Sequence, residues 1–194
     1  MSKGSYLSAI LRSPKTIFTS KDIALLWHES NSNAARVRLN YFVNKGDLIR
    51  LRKGLYAKSE KYNTLELATR ILVPSYVSFE TVLAREGLIF QYYGKIFVAS
   101  YVSREITINQ QTYSFRKLKR QVLLNSQGVQ NTYETSIAVK ERAFLDLLYL
   151  NSNYHFDNIR SLDWDLIFEI LPIYINQRLT KTIRDIYKFV YKTS

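Results

Sequence analysis

The stretch from Thr19 to Lys58, TSKDIALLWHESNSNAARVRLNYFVNKGDLIRLRKGLYAK, packs two helix starts, a helix stop and a basic hairpin into forty residues. Thr19 predicts an N-cap, with Asp22 three residues on reaching back to it. Ile23, Leu26 and Trp27 then share one helical face. Asn31-Ser32 is a second capping signal, after which Ala35, Leu39 and Phe42 recur at helical spacing. Gly46 supplies a left-handed stop. Leu48 to Lys58 predicts two short strands that turn at Lys53-Gly54, edged by Arg50, Arg52 and Lys53. Helix, short turn, helix and basic hairpin is the pattern of a winged helix-turn-helix.

The second helix of that pattern has two sides. Ala35, Leu39, Phe42 and Gly46 fall on one, while Asn33, Val37, Asn40 and Asn44 fall on the other, flanked by Arg36 and Tyr41. Asn, Arg and Val are suited to base edges in a major groove: Asn to adenine, Arg to guanine, Val to the thymine methyl. Arg50, Arg52 and Lys53 are placed to meet the phosphate backbone or an adjacent minor groove. A merely solvated helix face has a similar composition; the attached basic hairpin is what favours DNA.

Charge points the same way. The formal net charge is +12, and residues 1–62 alone hold twelve Lys/Arg against four Asp/Glu. The excess therefore sits mainly in the part that carries the helix-turn-helix pattern, which favours a polyanionic partner there. A hydrophobic content of 46% is enough for a real core. With no cysteine and two histidines, disulfides, thiolate metal sites and a histidine-rich metal centre are not expected. No stretch reads as a signal peptide or a bilayer span, and the cytoplasm is the expected location.

Polar residues 58–63 mark the expected junction between a DNA-binding domain, 1–62, and a second domain, 63–194. The whole is expected to be α+β, the second domain mixed α/β with a small antiparallel sheet and a helical tail. Ser5 to Leu11 predicts a short helix ended by Pro14, and Ile17-Phe18 a short strand or a staple into the next helix. Asn63 with Glu66 predicts a cap for a helix through about Leu72. Ser78 is expected to cap a further helix that Gly87 ends, with Phe79, Val82 and Leu83 buried. Ile96 to Leu124 reads as three or four strands, including VLL at its end, with a hairpin turn at Asn109-Gln110. Residues 137–150, IAVKERAFLDLLYL, read as an apolar helix. Pro172 divides the tail, whose last helix has a stripe of Ile175, Leu179, Ile183, Ile186 and Val190. Trp27 and Trp164 are expected in the core.

Catalytic signatures are missing. The six glycines form neither GxGxxG nor a phosphate loop, and no serine stands in a nucleophile elbow. Glu141 and Asp146, five apart, point in different directions on a helix, so an ion pair or a capping role is expected of them. No cofactor is implied, and binding rather than catalysis is the expected function. Arg116, Lys117, Lys119 and Arg120 form a second basic cluster, either a solvent-facing strand end or a second nucleic-acid surface.

Three segments carry a family resemblance. FVNKGDLIRLRKGLYA, 42–57, resembles the ending of that family's winged helix, and YVSFETVLAREGLI, 76–89, resembles its YISLESALxxxGLI segment. IAVKERAFLDLLYL resembles its IAxxEKALLDLLYL helix. In this order and spacing they resemble the AbiEi antitoxins of bacterial type IV toxin–antitoxin, phage-resistance systems. The resemblance spans about Thr19 to Tyr149. It departs at Glu141-Arg142, where the family pattern has Glu-Lys.

The resemblance implies that the winged helix binds inverted repeats in its own promoter and represses the operon. It implies that the C-terminal domain counters an AbiEii-type nucleotidyltransferase toxin, without requiring a stable toxin complex; a homodimer on the DNA is left open. A plain winged-helix regulator whose second domain dimerises or senses a ligand is the alternative. A nucleic-acid-processing enzyme using the 116–120 cluster is a third reading.

Overall fold

The computed structural model describes residues 3–91, 93–132 and 134–192. The chain begins with α1 (Lys3–Arg12), β1 (Ile17–Thr19), α2 (Ser20–Leu26), α3 (Ser32–Asn44), β2 (Ile49–Arg52) and β3 (Leu55–Ala57). The three strands form an antiparallel sheet in the order β1-β3-β2. Ile17-Phe18, expected as a strand or a staple, is thus a full sheet member, and the hairpin gains a third strand. Strand alternation makes this sheet a shared layer. Phe18 and Tyr56 pack with Ile10, Ile23, Trp27, Leu39 and Phe42 on one side. Ile17, Leu55 and Ala57 face the larger core on the other. All three residues of β3 are accordingly buried.

The larger body follows: α4 (Thr64–Ile71), β4 (Ser75–Val77), α5 (Phe79–Arg85), β5 (Lys95–Ser100), β6 (Arg104–Ile108), β7 (Gln111–Lys117), α6 (Arg120–Leu124), β8 (Val129–Asn131), β9 (Ser136–Ala138), α7 (Lys140–Leu150), α8 (Trp164–Ile170), a 3₁₀ turn (Leu171–Tyr174) and α9 (Gln177–Lys192). The chain is therefore mixed α+β. Its second sheet has six strands in the order β6-β7-β5-β4-β9-β8, larger than the three or four expected. It is mixed rather than antiparallel, because β5 runs parallel to β7 and β4 parallel to β9. The expected hairpin turn is present, with Asn109 and Gln110 at φ 46° and 67° between paired β6 and β7.

Several local expectations change for identifiable reasons. VLL is the end of helix α6, since a short apolar run suits either state and here buries Val122 and Leu123 against the core. The apolar helix starts at Lys140, because Ile137 and Ala138 pair in β9. Ile175 has φ 44° and is 77% exposed, so it ends the 3₁₀ turn instead of joining the α9 stripe; Leu179 and Ile183 in that stripe are buried. Trp27 and Trp164 are buried, as expected.

A buried polar network joins the second body. Ser78 stands at the N-cap of α5, yet its hydroxyl donates to Asp146 Oδ2 at 2.8 Å instead of capping. Asp146 also accepts from Tyr76 at 2.9 Å, Tyr174 at 2.7 Å and Arg142 Nε at 3.3 Å. Arg142 and Asp146 are both fully buried. The guanidinium further donates to Tyr76 Oη at 2.9 Å and to the carbonyls of Val122 and Gln127, each at 2.7 Å. Burial disfavours the charge on Arg142, but Asp146, Tyr174 and Tyr76 more than offset it and push its pKa up. Burial and the adjacent Asp146 carboxylate likewise push the Tyr76 and Tyr174 phenols up, which keeps them as donors. Glu141 accepts from the Asp163 backbone N–H at 3.1 Å, beside the start of α8. The expected ion-pair and capping roles are thus filled, with Arg142 as the ion-pair partner.

Removing one partner of such a pair strands the other without water. Asp146→Ala is expected to lose on the order of 3–5 kcal/mol of stability. Arg142→Lys keeps the charge but loses the planar fork, and should still lose roughly 2 kcal/mol or more. Urea unfolding of both variants checks this; a loss within about 1 kcal/mol of zero for both would mean the network contributes little.

Candidate nucleic-acid interface

The segment from α2 to β3 is built by closely local chemistry. Thr19 caps α2 through a full capping box: its hydroxyl accepts from the Asp22 N–H at 3.1 Å, and the Asp22 carboxylate accepts from the Thr19 N–H at 2.8 Å. Lys15 adds an ion pair to Asp22 at 2.9 Å. The helix ends with His28 in the left-handed region at φ 50°, where its N–H reaches the Leu25 carbonyl and the Glu29 N–H reaches that of Ala24. Asn31 then caps α3, its Oδ1 accepting from the N–H groups of Asn33 and Ala34; the Ser32 side chain lies outside the described residues. Gly46, at φ 81°, closes α3 as expected, with its N–H on the Val43 carbonyl and that of Asp47 on Phe42.

Ala35, Leu39 and Phe42 are buried, so the opposite side of α3 is fixed outward. Asn33, Arg36, Val37, Asn40, Tyr41 and Asn44 are all exposed there, Val37 by 67%. No acidic residue occurs in α3. Arg36 makes no ion pair among the described residues, whereas Tyr41 packs edge-on against Phe42. The hairpin brings Arg50, Arg52 and Lys53 to the surface, with a β-bulge between Arg50 and Arg52. Arg50 is paired opposite Tyr56 and reaches back to α3, donating to Asn40 Oδ1 at 3.3 Å and to Tyr56 Oη at 3.4 Å. The two groups of sequence-predicted residues are thereby joined into one surface, although Asn40 does not stand free in it.

Arg38 was absent from the expected site, and it orients the helix. Its guanidinium lies 3.9 Å over the Tyr6 ring and 5.6 Å from Trp27, and pairs with Glu29 at 3.1 Å. A cation facing the half-buried Tyr6 and the buried Trp27 gives no sequence signal distinct from the outward-facing Arg36 two residues before it.

The second basic cluster is divided. Arg116 forms a two-pronged pair with the buried Glu80, both contacts at 2.8 Å, and lies 4.3 Å over the Phe97 ring. It is committed to the fold, and it is removed from the proposed second surface for that reason. Lys117, Lys119 and Arg120 are exposed.

No protein-family model matches the chain, and no curated protein matches it. No helix among the described residues is long and apolar enough to cross a membrane.

The capping box makes a pH-dependent prediction. Burial pushes the Asp22 carboxyl up, but its bonds from Thr19 and Lys15 prevail and hold it below the ordinary 3.8. A carboxylate with a depressed folded value stabilises above 3.8 and loses that contribution as pH falls through the folded value. Asp22→Ala should therefore cost about 1 kcal/mol at neutral pH, with the difference from wild type shrinking in strong acid. Urea unfolding across a pH series checks it; a pH-independent deficit would assign the loss to packing.

Proposed function

We propose that residues 1–62 act as a winged helix-turn-helix that binds double-stranded operator DNA, with α3 in the major groove and the β2–β3 hairpin against the backbone. The carrying observation is the acid-free, outward face of α3 tied to the basic hairpin by the Arg50–Asn40 bond. Asparagines and Arg36 supply base-edge chemistry, and Arg52 and Lys53 supply charge that needs no particular register.

The three segments that resemble AbiEi antitoxins extend this reading. The first is the hairpin itself. The second and third meet in the buried network, Tyr76 and Ser78 from one and Arg142 and Asp146 from the other. This supports a cytoplasmic, non-enzymatic antitoxin that represses its own operon at inverted repeats, while residues 63–194 counter an AbiEii-type nucleotidyltransferase toxin.

Base reading and backbone positioning separate by mutation. Arg36→Ala or Asn40→Ala should cost on the order of 1–3 kcal/mol on the operator and much less on scrambled duplex. Arg52→Ala and Lys53→Ala should weaken both duplexes alike and flatten the salt dependence by about one unit of slope each. Fluorescence anisotropy over a salt series reads both. Equal losses on both duplexes for the α3 variants would mean a different reading helix, and no loss in any of the four would end the DNA assignment.

The two activities should also come apart in cells. Full-length Arg36→Ala is expected to release repression of an operator-driven reporter while still protecting growth against the co-expressed toxin. Loss of protection in a variant present at wild-type levels would place the antitoxin activity in the DNA-binding part.

A further inference from the structure

The exposed half of the second basic cluster borders an apolar groove of about 410 Å³. Its walls are Pro74, Leu118, Leu123 and Leu124, with Tyr101 at the side. Leu124 is 54% exposed and Tyr101 50%, and Val73, which lines the adjoining groove, is 70% exposed. That second groove of about 460 Å³ shares Pro74, Leu123 and Leu124, so the apolar surface is continuous. Grouped exposed apolar side chains of this size are a mark of interaction surfaces.

Lys117, Lys119 and Arg120 complete the lining of the first groove, and no acidic residue contributes to it. None of the three makes an ion pair among the described residues, whereas the neighbouring Arg116 has the buried Glu80 for itself. Glu134 lines the adjoining groove, so the anion-seeking half is the one bounded by residues 117–120. The wall is also held in place from beneath: Arg142 grips the carbonyls of Val122 and Gln127 on either side of Leu123 and Leu124. A surface fixed before binding loses less freedom on association.

We propose that this groove docks an acidic segment of a partner protein, with an aliphatic or aromatic side chain seated between Pro74 and Leu124 and flanking carboxylates on Lys117, Lys119 and Arg120. Charge complementarity specifies the flanks, and the aliphatic walls specify the anchor. Single-stranded nucleic acid fits less well, since it needs successive stacking platforms and the groove offers one tyrosine among aliphatic walls. The assignment does not rest on DNA binding by α3.

The test uses the full chain and a short fluorescent peptide with Leu and Phe between runs of Glu. Companion probes replace Glu by Gln or Leu and Phe by Ser, and an RNA oligonucleotide competes. Saturable binding is expected, with amide shifts at 73, 101 and 117–124. Affinity should fall about tenfold or more in Lys119→Glu/Arg120→Glu and in Leu124→Ser, and stay unchanged in Arg36→Ala. All the substituted side chains are exposed, and thermal unfolding verifies that the variants stay folded. Absence of saturable binding, equal binding of the Gln peptide, shifts centred on α3, or displacement by the RNA from the groove would each overturn the proposal.

Discussion

The buried pair of Arg142 and Asp146 is the contact on which the second body depends. Two charges removed from water gain little from each other alone, because desolvation offsets most of their attraction. The surrounding bonds change that balance. Asp146 gathers the hydroxyls of Tyr76, Ser78 and Tyr174, which come from β4, the β4–α5 corner and the 3₁₀ turn before α9. Arg142 gathers carbonyls from α6 and the segment after it. One turn of α7 thus fixes elements spread over about a hundred residues. The geometry explains why a lysine would not serve here: an ammonium has three donors and no planar fork, too few for this set of acceptors. It also explains Gly128, where φ is 69° and an added Cβ would lie 2.9 Å from that of Arg142 and 2.7 Å from Ile170 Cδ1.

The first body is coupled to the second through its sheet rather than through a free linker. Ile17, Leu55 and Ala57 belong to the larger core, and Thr16 donates both its N–H and its hydroxyl to the buried Glu66, at 2.9 and 2.6 Å. The Asn63 N–H donates to the same threonine hydroxyl. Glu66 was expected to complete a helix cap with Asn63. Asn63 caps α4 through its own side chain, which leaves the carboxylate free to bind across the junction. The position of α3 is therefore referred to the second body by one layer of β-sheet.

What was legible in the sequence was local. The Thr19–Asp22 box, the Asn31 cap, the glycine stops at 46 and 87 and the 109–110 turn each depend on a few adjacent residues, and each is found. The outward face of α3 was equally legible, because helical geometry fixes it once Ala35, Leu39 and Phe42 are inside. Partnerships across long separations were not legible. Ser78 carries the signature of a cap, yet a carboxylate sixty-eight residues away competes successfully for its hydroxyl. Val122 and Leu123 satisfy strand and helix patterns equally, and only the core beneath them decides. The parallel pairing of β5 with β7 is hard to read from alternation, since β5 is buried on both faces over residues 96–100 and β7 over residues 113–115.

The distribution of the cations follows from the same competition. Arg38, Arg116 and Arg142 stack on aromatic rings and bind carboxylates, tasks for a planar guanidinium that is weakly hydrated. Among the cations left at the surface, two groups differ in what surrounds them. Those on α3 and the hairpin stand among asparagines, with side chains that can form directed hydrogen bonds to a regular polyanion. Those at 117–120 stand beside leucines and a proline, where a bound anion would have to bring apolar surface with it. A formal charge of +12 read as a single number suggests one polyanionic partner. Part of it instead stands on a polar surface and part on an apolar one, and the two partners proposed above differ in chemistry accordingly, each matched to what surrounds the charge.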